Sequence, residues 1–382
     1  MLESDSIGER ALAALRLEDP NQTREALQAL IEEAPDRLDL RHTLATTLVR
    51  LGEAQAAQIM AEDAIRMAKE SQTEQAMTLM GQMYITLAAA CEDLYQIKKA
   101  EQAYLTVLHN EAGNPFALQG LSNLLMASGR LEDGIKVLRE YTDQGADDPE
   151  AIAANQHLIE TIELFKSQSE DPFVFVDAHR GSYCEMFDHY DSQMSEKGWY
   201  AEAARMRLDS NGQPTIPIIP DGHPDYAATR VDLVDPNSGQ PGRIGEQPMV
   251  VAFAGYEILA QARILFEKEG YDYDVYISSR TPWNHLPIQI RMRSNEAKAV
   301  DPFMGDWYTA GFNGEYGQQK SGFFHEITAP EYLDDQTVIY YVDMGRSEAR
   351  SVDSLLSSLN NLHSQHGIET VLIGQGYLPD RD

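Results

Sequence analysis

The chain is short of cysteine, of positive charge and of long apolar runs, and each shortage removes a class of protein. Only two cysteines, Cys91 and Cys184, occur in 382 residues. They fall in different predicted domains, which excludes a disulfide framework and any cysteine-built zinc site. No stretch approaches the ~18 consecutive apolar residues of a spanning helix, so no membrane association is expected. The start, Met1-Leu2-Glu3-Ser4-Asp5, lacks a basic region followed by an apolar run. No secretory leader is predicted, and the expected location is cytoplasmic. Cations are outnumbered: 30 Lys and Arg stand against 61 Asp and Glu, a net charge of −31. Residues 1–168 carry −14 of it and the remainder −17, so the acid is not confined to a tail. A chain of this sign is repelled by phosphate backbones, which argues against nucleic acid as a partner. A well-solvated acidic surface is the expectation; a docking surface for a basic partner is the alternative.

What is present is a beat of 34 residues. Ala100-x3-Tyr104-x2-Val107 recurs as Gly134-x3-Leu138-x2-Tyr141, and Thr23-x3-Leu27-x2-Leu30 recurs as Ala57-x3-Ala61-x2-Ala64, each pair 34 apart. Steps of four and three lie on one face of a helix. A preceding helix reads in the same register: Arg41-x2-Leu44-Ala45-x2-Leu48-x3-Gly52, Tyr84-x2-Leu87-Ala88-x2-Cys91-x3-Tyr95, and Leu118-x2-Leu121-Ser122-x2-Leu125-x3-Gly129. Gly52 and Gly129 are placed to close the first helix of their pairs in a left-handed cap. Pro35, Pro115 and Pro149 fall near the starts of successive units, where proline suits the first turn. The beat slips by nine residues between Ala57 and Ala100, which predicts a lengthened helix through Thr73–Ala89.

Residues 4–148 resemble the tetratricopeptide-repeat family, with about 150–166 as a capping helix. Arg41, Tyr84 or Leu118 stands where that family's large first residue falls, and Pro20 disturbs the first unit. The resemblance implies helix–turn–helix units stacked around an inner groove that holds a protein or peptide. It places His42, Thr46 and Arg50 on that groove, then Gln82, Ile85 and Ala89, then Phe116, Gln119 and Asn123. Arg50 and Asn123 alone offer the basic and amide chemistry with which one subgroup grips a terminal carboxylate, so that specificity is not expected.

After Lys166 the composition shifts to β-branched runs with Gly, Pro and Asp. Predicted strands are 173–176, 215–219, 230–234, 249–253, 274–277, 288–292, 323–327, 338–342 and 371–373. One helix is expected to carry Ile258, Leu259, Ala262, Leu265 and Phe266 on a face. A second carries Ala349, Val352, Leu355, Leu356, Leu359 and Leu362, with Ser347 as its cap. Strand–helix–strand units over 249–277 and 338–373 suggest a ferredoxin-like arrangement, single or duplicated. The last of them is similar in pattern to the ferredoxin-like domain of bacterial ribonuclease-regulator proteins. The expected class is therefore mixed: an all-α repeat array in 1–168 and an α+β domain in 170–382.

Candidate chemistry is sparse. Asp177 and His179 follow a predicted strand, and Asp221, His223 and Asp225 follow another, an oxygen-and-nitrogen set suited to a metal. Neither spacing matches a zinc or calcium loop, so turn residues are expected, with no metal and no cofactor. His325 and Glu326 have groups for proton transfer, but neighbours on a strand point to opposite faces; His325 and His285 read as structural. Nucleophilic use of Cys184 would require a nearby base, which sequence does not show, and it is not expected. The glycine- and aromatic-rich segment Gly305–Gly322 reads as a long contact loop presenting Trp307, Tyr308 and Phe312. Gly374-Gln375-Gly376 is too short to mark a phosphate loop. The expectation is a non-catalytic adaptor with a protein partner, homo-oligomerisation being allowed. The alternative is an enzyme or small-molecule-binding domain in 170–382, with the repeats mediating oligomerisation or docking.

Overall fold

The computed structural model describes residues 2–17, 19–71, 73–144, 148–194, 200–205, 207–208, 214–215, 229–234, 241–247, 258–259, 262–317 and 324–379. Ten helices come first: α1 (Leu2–Ala14), α2 (Pro20–Glu33), α3 (Leu38–Arg50), α4 (Ala54–Ser71), α5 (Glu74–Asp93), α6 (Ile97–Asn110), α7 (Pro115–Ala127), α8 (Leu131–Gln144), α9 (Pro149–Ser167) and α10 (Phe173–Met194). The chain forms two compact units. One holds the described residues of Met1–Leu124 and Lys136–Ala153, the other those of Leu125–Ile135, Ala154–Asp209 and Pro214–Asp382.

The repeating positions are the buried ones. Thr23, Leu27, Leu30, Ala57, Ala61, Ala64, Ala100, Tyr104, Val107, Leu138 and Tyr141 are all at most 6% exposed. Pro20 does not interrupt the first pair but opens α2, with the Asp19 carboxylate accepting from the Asn21 N–H at 2.9 Å. Arg41 ties its helix pair by donating to the Pro35 carbonyl and pairing with Asp63 at 3.2 Å. The inserted residues lengthen α4 to 18 residues and α5 to 20, against 13 or 14 for α2, α3 and α6.

One turn ends the first helix three times. Gly52, Tyr95 and Gly129 lie at φ of 71°, 56° and 78°. The N–H groups of Glu53, Gln96 and Arg130, each one residue later, reach back to the carbonyls of Leu48, Cys91 and Leu125 at 2.8–2.9 Å. This six-to-one closure satisfies carbonyls that the helix end leaves open, and it requires a left-handed residue. Tyr95 adopts that conformation despite its Cβ.

The second unit holds β1 (Tyr200–Arg205), β2 (Arg207–Leu208), β3 (Pro214–Thr215), β4 (Thr229–Val234), β5 (Pro241–Gln247), β6 (Leu265–Glu267), β7 (Asp274–Ser278), β8 (Leu286–Met292), α11 (Asp301–Phe312), β9 (Glu326–Ile327), β10 (Glu331–Tyr332), β11 (Thr337–Asp343), α12 (Arg350–His366) and β12 (Ile368–Ile373). The main sheet runs β10-β11-β8-β12-β7-β6, with β9 on the end of β11. β12 is parallel to β7, while β8 is antiparallel to both its neighbours, β11 and β12. β11, α12 and β12 thus form a split strand–helix–strand unit around β8. Val352, Leu355, Leu356, Leu359 and Leu362 of α12, with Met304 and Trp307 of α11, join the sheet's buried core. The class is a helical array followed by a mixed sheet with helices.

Several expectations are corrected. Residues 173–176 are the first turn of α10, entered through Asp171, whose carboxylate accepts from the Phe173 N–H at 3.0 Å. Phe175, Val176, His179 and Tyr183 are buried at helical spacing, a stripe hidden by the β-like run Phe-Val-Phe-Val. Leu265 and Phe266 lie in β6, which forms a hairpin with β7, so 249–277 is not a strand–helix–strand unit; 249–253 lie outside the described residues. Ser347 does not cap α12: the N-cap is Ala349, without a side-chain bond. The expected contact loop is helical from its start to Phe312, and Trp307 is 3% exposed, its indole N–H held by the Ser351 carbonyl at 2.8 Å. Trp307 is a core residue because its ring packs on Phe324 at 4.7 Å. No described helix is long and apolar enough to cross a membrane.

Replacing Gly52 by Ala is expected to cost the helical unit about 1 kcal/mol, because the cap needs positive φ. Urea denaturation followed by far-ultraviolet circular dichroism measures it.

Candidate functional site

On the first helices of the array, the residues between the packing stripes are the accessible ones. His42 is half-buried on α3, Thr46 and Arg50 are exposed, and Gln82 is exposed on α5 with Ile85 and Ala89 half-buried. The two helices meet through a hydroxyl that sequence reasoning missed, Thr86. His42 Nε2 lies 3.1 Å from Thr86 Oγ1, and Thr46 Oγ1 lies 3.4 Å from it. Burial lowers the His42 pKa, with its bond to the Gln82 backbone opposing. On α7, Phe116 is 71% exposed, and the Gln119 amide donates to Asn123 Oδ1 at 3.2 Å. Residues 116, 119 and 123 share one face by spacing. This face presents a ring and two coupled amides.

In the second unit Asp177 and His179 do not come together. Asp177 is exposed and His179 buried, because residues two apart on a helix point to different sides. His179 instead faces the Ser279 carbonyl at 3.3 Å, and burial pushes its pKa down to about 4. Asp221, His223 and Asp225 lie outside the described residues. Among the described residues no group of His, Cys, Asp and Glu is spaced for a metal. His285 is 5% exposed, its ring stacked on Tyr341 at 4.8 Å. Cys184 is half-buried on α10. Tyr308 is half-buried on α11 and Phe312 is 56% exposed at its end.

A different cluster does form, around Asp343 at the end of β11. Its carboxylate, 5% exposed, accepts from the Tyr183 hydroxyl at 3.1 and 3.3 Å and from the Gly345 N–H at 2.9 Å. His325 Nδ1 stands 3.3 Å from it. Carboxylate, phenol and imidazole together can exchange a proton. Tyr183 and Asp343 are 160 residues apart. The only local signal was a carboxylate closing an apolar strand. No family model matches the chain, and no curated protein matches it.

Asp343→Ala strands the Tyr183 hydroxyl and the Gly345 N–H, and is expected to cost about 2–3 kcal/mol in urea denaturation, against about 1 for Tyr183→Phe. His179 adds an acid sensitivity. Its folded pKa is depressed below the ordinary ~6.5, so the unfolded chain binds more protons. The stability it contributes is present above pH ~6.5 and is lost as pH falls toward 4, about 3 kcal/mol in all. His179→Gln should flatten that part of the stability–pH curve.

Proposed function

We propose that this chain is a non-catalytic adaptor whose tetratricopeptide-like array holds a protein or peptide partner, with the α+β unit as a second contact module. The observation that carries this is Phe116. A phenylalanine 71% exposed, on one helical face with Gln119 and Asn123, has the make-up of a binding anchor, an aromatic beside groups that fix its register. His42, Thr46, Arg50 and Gln82 extend the same chemistry along α3 and α5 as a polar, mostly uncharged surface. The same reading keeps the cytoplasm as the setting. Of the ferredoxin-like expectation, it retains the split unit β11–α12–β12.

A second reading, catalysis or small-molecule binding in residues 170–382, is supported by the contacts of Asp343 with Tyr183 and His325. The adaptor reading is tested with the full-length chain as bait. Wild type should recover a near-stoichiometric partner, and the triple variant Phe116→Ser, Gln119→Ala, Asn123→Ala should recover at least tenfold less by quantitative mass spectrometry. Equal recovery by both baits, or no partner for wild type, overturns it.

A further inference from the structure

The nine residues by which the repeat slips change what stands beside what. Arg41 of α3 pairs with Asp63 of α4 at 3.2 Å, and helices joined by a short turn run antiparallel. One turn back toward the start of α3 is Leu38, and one turn on along α4 is Met67, so these two are level. α4 runs on to Ser71, and α5 begins at Glu74. Over that last stretch the lengthened pair stands past the start of α3, beside the α2–α3 turn. A partly open cleft of about 480 Å³ lies between them.

The floor of the cleft is apolar. Leu38, Met67 and Leu79 line it half-buried, and Ala76 lines it fully buried. Leu27, Leu30, Leu44 and Leu48, on the packing stripes of α2 and α3, are at most 3% exposed. The floor is thus apolar surface that the array itself leaves partly uncovered. The rim is acidic: Asp36, Asp39 and Glu70 stand against one cation, Arg37. Arg37 is engaged by Asp39, donating to both carboxylate oxygens at 2.8 and 2.6 Å. Glu70 meets Arg66 at 3.3 Å with both side chains more than half exposed, a pair that holds weakly in water. Asp36 is exposed, and among the described residues no cation pairs with it.

We propose that this cleft docks a basic peptide segment, an aliphatic side chain seated on the floor and flanking lysines or arginines meeting Asp36, Asp39 and Glu70. Charge selects the occupant. Residues 1–168 carry a net −14, so a basic segment is steered in and attracted at the rim, while an acidic one is repelled. A second copy of this acidic chain has the wrong sign for the same reason. The floor supplies apolar contact and the rim supplies register, the division of an interface into apolar core and polar edge. No residue of α7 takes part, so the cleft stands or falls separately from the Phe116 face.

The test is isothermal titration calorimetry of the full-length chain at fixed ionic strength, with a capped peptide of two leucines flanked by lysines. Two further peptides replace the leucines by alanine or the lysines by glutamate. The parent peptide should bind with a Kd of about 100 μM, and each of the others roughly tenfold more weakly or worse. Ser71→Trp fills the cleft from an exposed position and should weaken the parent peptide about fivefold or more. The double variant Asp36→Asn, Glu70→Gln should do the same, and its exposed, isosteric changes keep the test valid should Ser71→Trp misfold. Glu140→Gln with Glu160→Gln removes equal charge from exposed positions of α8 and α9 and should leave binding within about twofold. The proposal is overturned if the parent peptide does not bind, if either altered peptide binds as well, or if the rim variant binds undiminished. Equal weakening by the Glu140, Glu160 variant would assign the attraction to overall charge and overturn it too. So would a wild-type dimer, seen by sedimentation, that Ser71→Trp makes monomeric, since a second copy would then fill the cleft.

Discussion

The second unit depends on one constraint: β8 is the strand with partners and cover on every side. Leu286, Ile288, Ile290 and Met292 are fully buried, and so, at 1% exposure, is Gln289. A buried amide and a guanidinium within the same strand must be answered by the protein. The answer comes from the far end of the chain: the Gln289 amide donates to the Gly376 carbonyl at 2.7 Å, and Arg291 to that of Pro379 at 2.5 Å. The segment after β12 is therefore tied across the sheet rather than trailing from it. That tie also fixes the Gly374–Gly376 turn against the end of β7, where Arg280 sits. The placement of Arg280 thus follows in part from the partner found by the N–H group of an interior glutamine amide.

In the helical array the corresponding constraint is the turn that ends α3, α5 and α7. Its geometry recurs with glycine twice and tyrosine once, so the six-to-one closure outweighs the strain of a left-handed Tyr95, about 1 kcal/mol. The insertion acts on length alone. α4 and α5 grow by roughly a turn or more, while the caps and buried stripes on either side keep their register.

The repeat half was legible because its information is local: helical spacing, small residues at close packing positions and glycines at caps all repeat within 34 residues. The strands β7, β8, β11 and β12 were legible as apolar runs. α10 was not, because Phe173–Val176 is too short a run to separate helix from strand by composition, and the deciding residues, His179 and Tyr183, lie beyond it. Trp307 was misread because glycines at 305 and 311 mimic a loop while the burial of its ring decides for helix. The Asp343 cluster depends on a contact between segments 160 residues apart, which no local pattern encodes.

The sheet's two margins govern how it can meet other chains. β10 offers two residues and β6 three, and the last residue of β6, Glu267, is followed at once by Lys268 and Glu269. A visiting strand would find almost no backbone ladder to extend, and would meet charge where the ladder stops. Recognition through the margins of this sheet must therefore be written in side chains, which also leaves this sheet little tendency to polymerise edge to edge.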